Sequence, residues 1–150
     1  MSNLDLGASW SDGELISGTE WTPIGSYNND NTYRLNAPFE GNGYVIKNVY
    51  VNTTNNFAGV FGNSSSITNL TVIDSYISGA TCTAGIVGAV RSGEVTNCTV
   101  ENVTIISSGT SSGGICGSTY GGIKNCYNSG SVTFTSGGRG DNLYCSWLLC

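Results

Sequence analysis

Ala58-Gly59-Val60-Phe61-Gly62 returns as Ala84-Gly85-Ile86-Val87-Gly88 and again as Gly113-Gly114-Ile115-Cys116-Gly117. A second block trails each copy: Ile67-Thr68-Asn69-Leu70, Val95-Thr96-Asn97-Cys98 and Ile123-Lys124-Asn125-Cys126, with Ile46-Lys47-Asn48-Val49 ahead of them all. The asparagines of the second block, Asn48, Asn69, Asn97 and Asn125, lie 21, 28 and 28 residues apart. A period of that size belongs to stacked supersecondary units, each burying its apolar side against its neighbours. The expected product is a solenoid, and a solenoid favours an elongated scaffold or binding surface over a pocketed enzyme.

One unit shows how a coil is built. In Asn97-Cys98-Thr99-Val100-Glu101-Asn102-Val103-Thr104-Ile105, Cys98, Val100, Val103 and Ile105 alternate with polar residues, with one slip between Val100 and Val103. Period-2 alternation of β-branched residues reads as strand, and the slip reads as a corner. Asn69-Leu70-Thr71-Val72-Ile73-Asp74-Ser75-Tyr76-Ile77 follows the same plan, which sets Asp74 opposite Asn102. No stretch carries apolar residues at helical spacing, and glycine-rich pieces such as Ser107–Gly113 supply turns. The fold class expected is all-β, a right-handed parallel β-helix of about four to five coils with terminal caps. The expected inward stacks are Val49/Leu70/Cys98/Cys126 and Phe61/Val87/Cys116. The recurring asparagines are expected to form a ladder at a corner, their amides satisfying backbone groups that the strands leave over. The AGxxG glycines are expected to serve sterics, through positive φ or close approach of coils.

Composition sets outer bounds. At 150 residues the chain makes one domain with a sizeable core. Glycine accounts for 22 residues and charge for only 10%, yet regularly placed Val, Ile, Leu and Phe argue against disorder. A net charge of −5 with only five scattered Lys and Arg disfavours nucleic acid and anionic membranes. No apolar run approaches the ~18 residues of a membrane span. Met1-Ser2-Asn3-Leu4-Asp5 lacks the regions of a signal peptide. The expectation is therefore an intracellular chain, or a mature or excised segment of an exported one.

The chemistry on offer is sparse. Histidine is absent, which removes the commonest general base and metal ligand. Of the ten acids, the central coils offer about one each, where a glycan-cleaving β-helix needs two or three on one face. Asp74 and Glu101 are the closest expected pair, read as solvated surface charges. Asn28-Asn29-Asp30-Asn31 lacks the bidentate acid of a calcium loop and reads as a plain loop. No metal and no cofactor is expected. None of the six cysteines, Cys82, Cys98, Cys116, Cys126, Cys145 and Cys150, forms a CxxC pair. Cys98, Cys116 and Cys126 replace Leu70, Val87 or Phe61 of sister coils and read as small core hydrophobes. Cys98 and Cys126 lie near disulfide reach, with stacked thiols the favoured state. Cys145 and Cys150 are the expected disulfide or oligomer contact. Arg139-Gly140-Asp141 reads as a turn, and the Asn-x-Ser/Thr sequons are what such a composition produces by chance. Thr-x-Thr occurs only at Thr133-Phe134-Thr135, too little for a flat ice-binding face.

With these residues in view, the chain resembles the GLUG-motif repeat family. The resemblance rests on Gly59-Val60-Phe61-Gly62, Gly85-Ile86-Val87-Gly88, Gly114-Ile115-Cys116-Gly117 and the segment Gly121–Val132. Trp21-Thr22-Pro23-Ile24-Gly25 and Phe39–Asn48 are similar to the coil that precedes such repeats. The likeness covers about residues 20 to 135 and fades at Arg139-Gly140-Asp141. It implies a bacterial surface or secreted β-solenoid, adhesin-like, with no catalytic set attached. The expected organisation is an N-terminal cap and leading strand over residues 1–32, repeats over 33–135 and a C-terminal cap or tail over 136–150. The expected role is a non-catalytic module at the cell surface or outside the cell, an adhesive or structural stalk with a protein or glycan ligand. The alternative is a subunit that stacks end to end into filaments, a homo-oligomer by nature. A glycan-active enzyme is the third.

Overall fold

The computed structural model describes residues 2–25 and 33–136, and within them the chain is all-β with essentially no helix. The N-terminal part holds β1 (Leu4–Asp5), β2 (Ser9–Ser11) and β3 (Glu14–Ser17). A first coil carries β4 (Phe39–Glu40), β5 (Val45–Lys47), β6 (Tyr50–Asn52) and β7 (Phe61–Ser64). A second carries β8 (Ile67–Thr68), β9 (Thr71–Gly79), β10 (Thr83–Ala84) and β11 (Val87–Val90). A third carries β12 (Val95–Thr96), β13 (Thr99–Ser107), β14 (Ser112–Gly113) and β15 (Cys116–Thr119). A partial turn follows, with β16 (Ile123–Lys124), β17 (Tyr127–Asn128) and β18 (Ser131–Phe134).

Apart from the antiparallel β2–β3 hairpin, the paired strands are parallel and join like to like in adjacent coils. The largest sheet runs β1-β5-β9-β13-β17, with β6 and β18 beside it; the others run β4-β8-β12-β16, β7-β11-β15 and β10-β14. The result is a β-solenoid of about three turns.

The alternation read from the sequence is what positions these strands. In β13, Val100, Val103, Ile105 and Ser107 are buried, while Glu101 and Asn102 are exposed. The slip is a bend: Glu101 pairs with Ile73 and Val103 with Ser75, and Asn102 between them has φ of 49°. One left-handed residue turns the strand without breaking the ladder, since Val49, Ser75 and Val103 resume pointing inward.

The core is a set of vertical stacks. Phe61, Val87 and Cys116 stand in register, as do Val72 and Val100. Each of these five side chains is at most 1% exposed, and fully burying an aliphatic one is worth about 1.5–3 kcal/mol before entropy is subtracted. Leu70, Cys98 and Cys126 also line one column, with the Thr99 amide donating to Leu70 O and that of Tyr127 to Cys98 O. Val49 does not belong to that column. It follows a different corner, where its amide donates to Ser75 Oγ at 3.0 Å.

The glycines of the AGxxG blocks act through space. Gly59, Gly85, Gly88, Gly114 and Gly117 are absent from the positive-φ positions. A Cβ on Gly88 would stand 2.5 Å from Phe57 Cα, because Phe57 and Cys82 fold across the outside of β11 and pack on Ala89. A Cβ on Gly85 would meet Gly114 O at 2.7 Å. Close approach of chain to chain is thus the requirement.

The N-terminal segment is used twice. β1 pairs with β5 and adds a rung at that end. The hairpin lies against the side of the solenoid, where Trp10 meets Tyr50 and Tyr76 at 6.3 and 6.2 Å between ring centroids. Tyr50 and Tyr76 stack at 5.3 Å, one coil apart. Ile16 remains 67% exposed.

Candidate functional site

Two rows of corner residues mark each coil, and both are built from the same chemistry. Asn69, Asn97 and Asn125 have φ of 54°, 54° and 51°, the left-handed region that asparagine tolerates better than most residues. Asn97 Nδ2 donates to Asn69 Oδ1 at 3.1 Å, and Asn69 Nδ2 donates to Glu40 Oε1 at 2.9 Å. The expected bonding of these amides to corner backbone is not what these contacts do. The backbone is already served by the coil below, with the Asn69 amide on Thr96 O and the Asn97 amide on Lys124 O. The side chains therefore bond along the stack to other side chains.

Asn48 stands in the second row, which corrects the expected ladder of four. Lys47 pairs with Ile73, and the Asn48 amide donates to Asp74 O, so Asn48, Asp74 and Asn102 share the bend. Their φ values are 56°, 47° and 49°. Asn48 Nδ2 donates to Asp5 Oδ1 at 2.7 Å, and Asn102 Nδ2 to Asp74 Oδ1 at 2.6 Å. The position of Gly41 in the first row explains the missing asparagine there: its amide takes Thr68 O, beside Asn69. A Cβ at Gly41 would collide with the Asn69 carbonyl.

Several carboxylates are engaged structurally. The Asp5 carboxyl is held below the usual range by the Asn48 side chain, then the Gly7 amide and Lys47. Lys47 Nζ lies 3.2 Å from Asp5, and Lys124 Nζ lies 2.6 Å from Glu94. Among the described residues no three of His, Cys, Asp and Glu gather as a metal site would require.

Cys82, Cys98, Cys116 and Cys126 are buried thiols. Cys98 and Cys126 sit one above the other, with the Cys98 amide donating to Cys126 Sγ at 3.4 Å. Each thiol also donates to a carbonyl two residues back, Thr96 O at 3.3 Å and Lys124 O at 3.2 Å. The hydrogen bond to Cys126 and burial together push the Cys98 thiol far above its ordinary value. Cys145, Cys150, the Asn28–Asn31 loop and Arg139-Gly140-Asp141 lie outside the described residues.

Sequence reasoning missed one concavity. An open cavity of about 260 Å³ lies between residues 20–23 of the N-terminal segment and residues 51–57, in β6 and the loop that follows it. Trp21 forms part of its wall and is fixed in place, its Nε1 donating to Val60 O at 3.0 Å and its amide to Tyr50 O at 2.7 Å. Phe57, Asn55, Glu20 and Thr22 also line it. Its two walls are about 30 residues apart in sequence and fall outside the AGxxG blocks, so the repeat gave no sign of it.

Comparison of the chain with protein families, with curated proteins and with solved structures finds no match. The class that the geometry itself defines is a parallel β-solenoid with asparagine and aspartate corners.

Proposed function

We propose that this chain is a non-catalytic β-solenoid module of a bacterial surface or secreted protein, serving as a stalk or adhesive surface. The observation carrying the proposal is the coil itself: four parallel sheets repeat the same register, and the corner polar groups are spent on one another rather than gathered around a reaction centre. The resemblance of the AGxxG and Ile-x-Asn blocks to GLUG-motif repeats supplies the cellular setting, the right-handed winding and the count of four to five coils. The bridges of Ile24 to Phe61 and Leu35 to Ser64 support the larger count, since they add a rung ahead of β7.

A second reading is favoured by a specific feature. Among the described residues, β16, β17 and β18 pair with the preceding coil on one side only. Open strand edges template further pairing, so a self-stacking filament subunit is the alternative. Negative-stain microscopy with light scattering of the purified chain separates the two. Short monodisperse rods support the module; fibres growing with concentration support the subunit. Depolymerisation of a polysaccharide panel would overturn both in favour of an enzyme.

A further inference from the structure

We infer that the cavity between residues 20–23 and 51–57 is a binding site for a single neutral sugar ring, the terminal unit of a glycan. The inference rests on the non-catalytic reading and gives its adhesive surface a ligand class. Volume comes first. At about 260 Å³ the cavity is just below the ~300 Å³ at which drug-sized pockets begin, which suits one ring and little more.

The lining selects the chemistry. Trp21 is a flat apolar wall whose indole cannot turn away, because Nε1 is committed to Val60 O. The negative face of an aromatic ring attracts the polarised C–H bonds on one side of a pyranose. Hydroxyl partners stand beside it. The Asn55 side-chain amide, a donor and an acceptor, makes no hydrogen bond among the described residues, although the Asn55 amide N–H is held by Thr53 Oγ1 at 3.1 Å. The Thr22 hydroxyl is exposed and equally uncommitted there. Glu20 spends Oε1 on the Asn52 amide at 3.1 Å, which orients the carboxylate and leaves Oε2 as an acceptor.

Charged ligands fit worse. Glu20 repels an anion. A cation, which brings donors and no acceptor, leaves the Asn55 amide and Thr22 hydroxyl donors unused. A neutral polyhydroxylated ring satisfies every group present, with an aromatic wall for its apolar face and mixed donors and acceptors for its edge.

The test titrates the full chain with methyl β-glucopyranoside, methyl β-galactopyranoside and the methyl glycoside of N-acetylglucosamine. Saturation-transfer NMR and the Trp21 indole proton report binding. At least one glycoside is expected to give saturable shifts at Trp21 and Asn55. Asn55→Ala and Thr22→Ala, both partly or fully exposed positions, are expected to weaken it tenfold or more with unchanged melting. Absence of saturation with all three glycosides overturns the inference, as does binding untouched by both variants or displaced by tetramethylammonium. The module reading fails separately, through a bound glycoside that is hydrolysed during the titration.

Discussion

A coil turns where one residue accepts positive φ, and among the described residues six of the ten non-glycine positions that do so are the Asx residues of the two corner rows. Left-handed backbone costs about 1–2 kcal/mol for an ordinary L-residue and much less for glycine or asparagine. Asn97 sits in the middle of its row, donating to Asn69, so both terms meet there. Asn97→Ala is expected to lower unfolding free energy by about 1–2 kcal/mol, and Asn97→Gly by clearly less. Urea denaturation of the two variants decides it; an equal loss in both would assign the residue's value to the side-chain bond rather than to φ. This chemistry also explains what the sequence could and could not reveal. Ile46-Lys47-Asn48-Val49 looks like Ile67-Thr68-Asn69-Leu70, yet it is in register with Val72-Ile73-Asp74-Ser75. Both corners need a left-handed Asx two residues after a β-branched one, so a four-residue string cannot say which corner it makes. Asp74 opposite Asn102 was legible because the offset of 28 places whole strands in phase around it.

The strands obey a simpler rule, and it was readable throughout β9 and β13. Val100 is fully buried beneath Val72, while its neighbour Thr99 lies half-buried between Thr71 and Tyr127 on the outer side. Val100→Asp is expected to cost about 3–5 kcal/mol, the range for an uncompensated buried charge, and so to unfold or aggregate the chain. Thr99→Asp is expected to stay within about 0.5 kcal/mol. Thermal melts of the pair test the register, because equal tolerance is incompatible with a side-chain period of two. The glycine blocks were recognised as steric, but their partners were hidden. Phe57 and Cys82 press on the outer side of β11 from loops whose path no periodicity predicts. Gly88→Ala is therefore expected to lose about 1–3 kcal/mol, as overpacking does. A melting temperature unchanged from the parent chain would show that the loop yields freely.

At the scale of the whole molecule, the rungs carry a mechanical meaning. Ile67, Val95 and Ile123 pair in a line, 28 residues between successive members, and the hydrogen bonds joining them run along the stack. A tether pulled at its two termini would load those bonds a rung at a time, as a zipper is loaded. Each released coil frees 28 residues, which at about 3.3–3.6 Å per residue amounts to roughly 95 Å of slack. Single-molecule stretching is expected to show a sawtooth with that spacing, at modest force, and not one rupture that empties the fold at once. On such a record the protein is a yielding line: it pays out length under strain and rewinds when slack, so whatever it holds is shielded from sudden load.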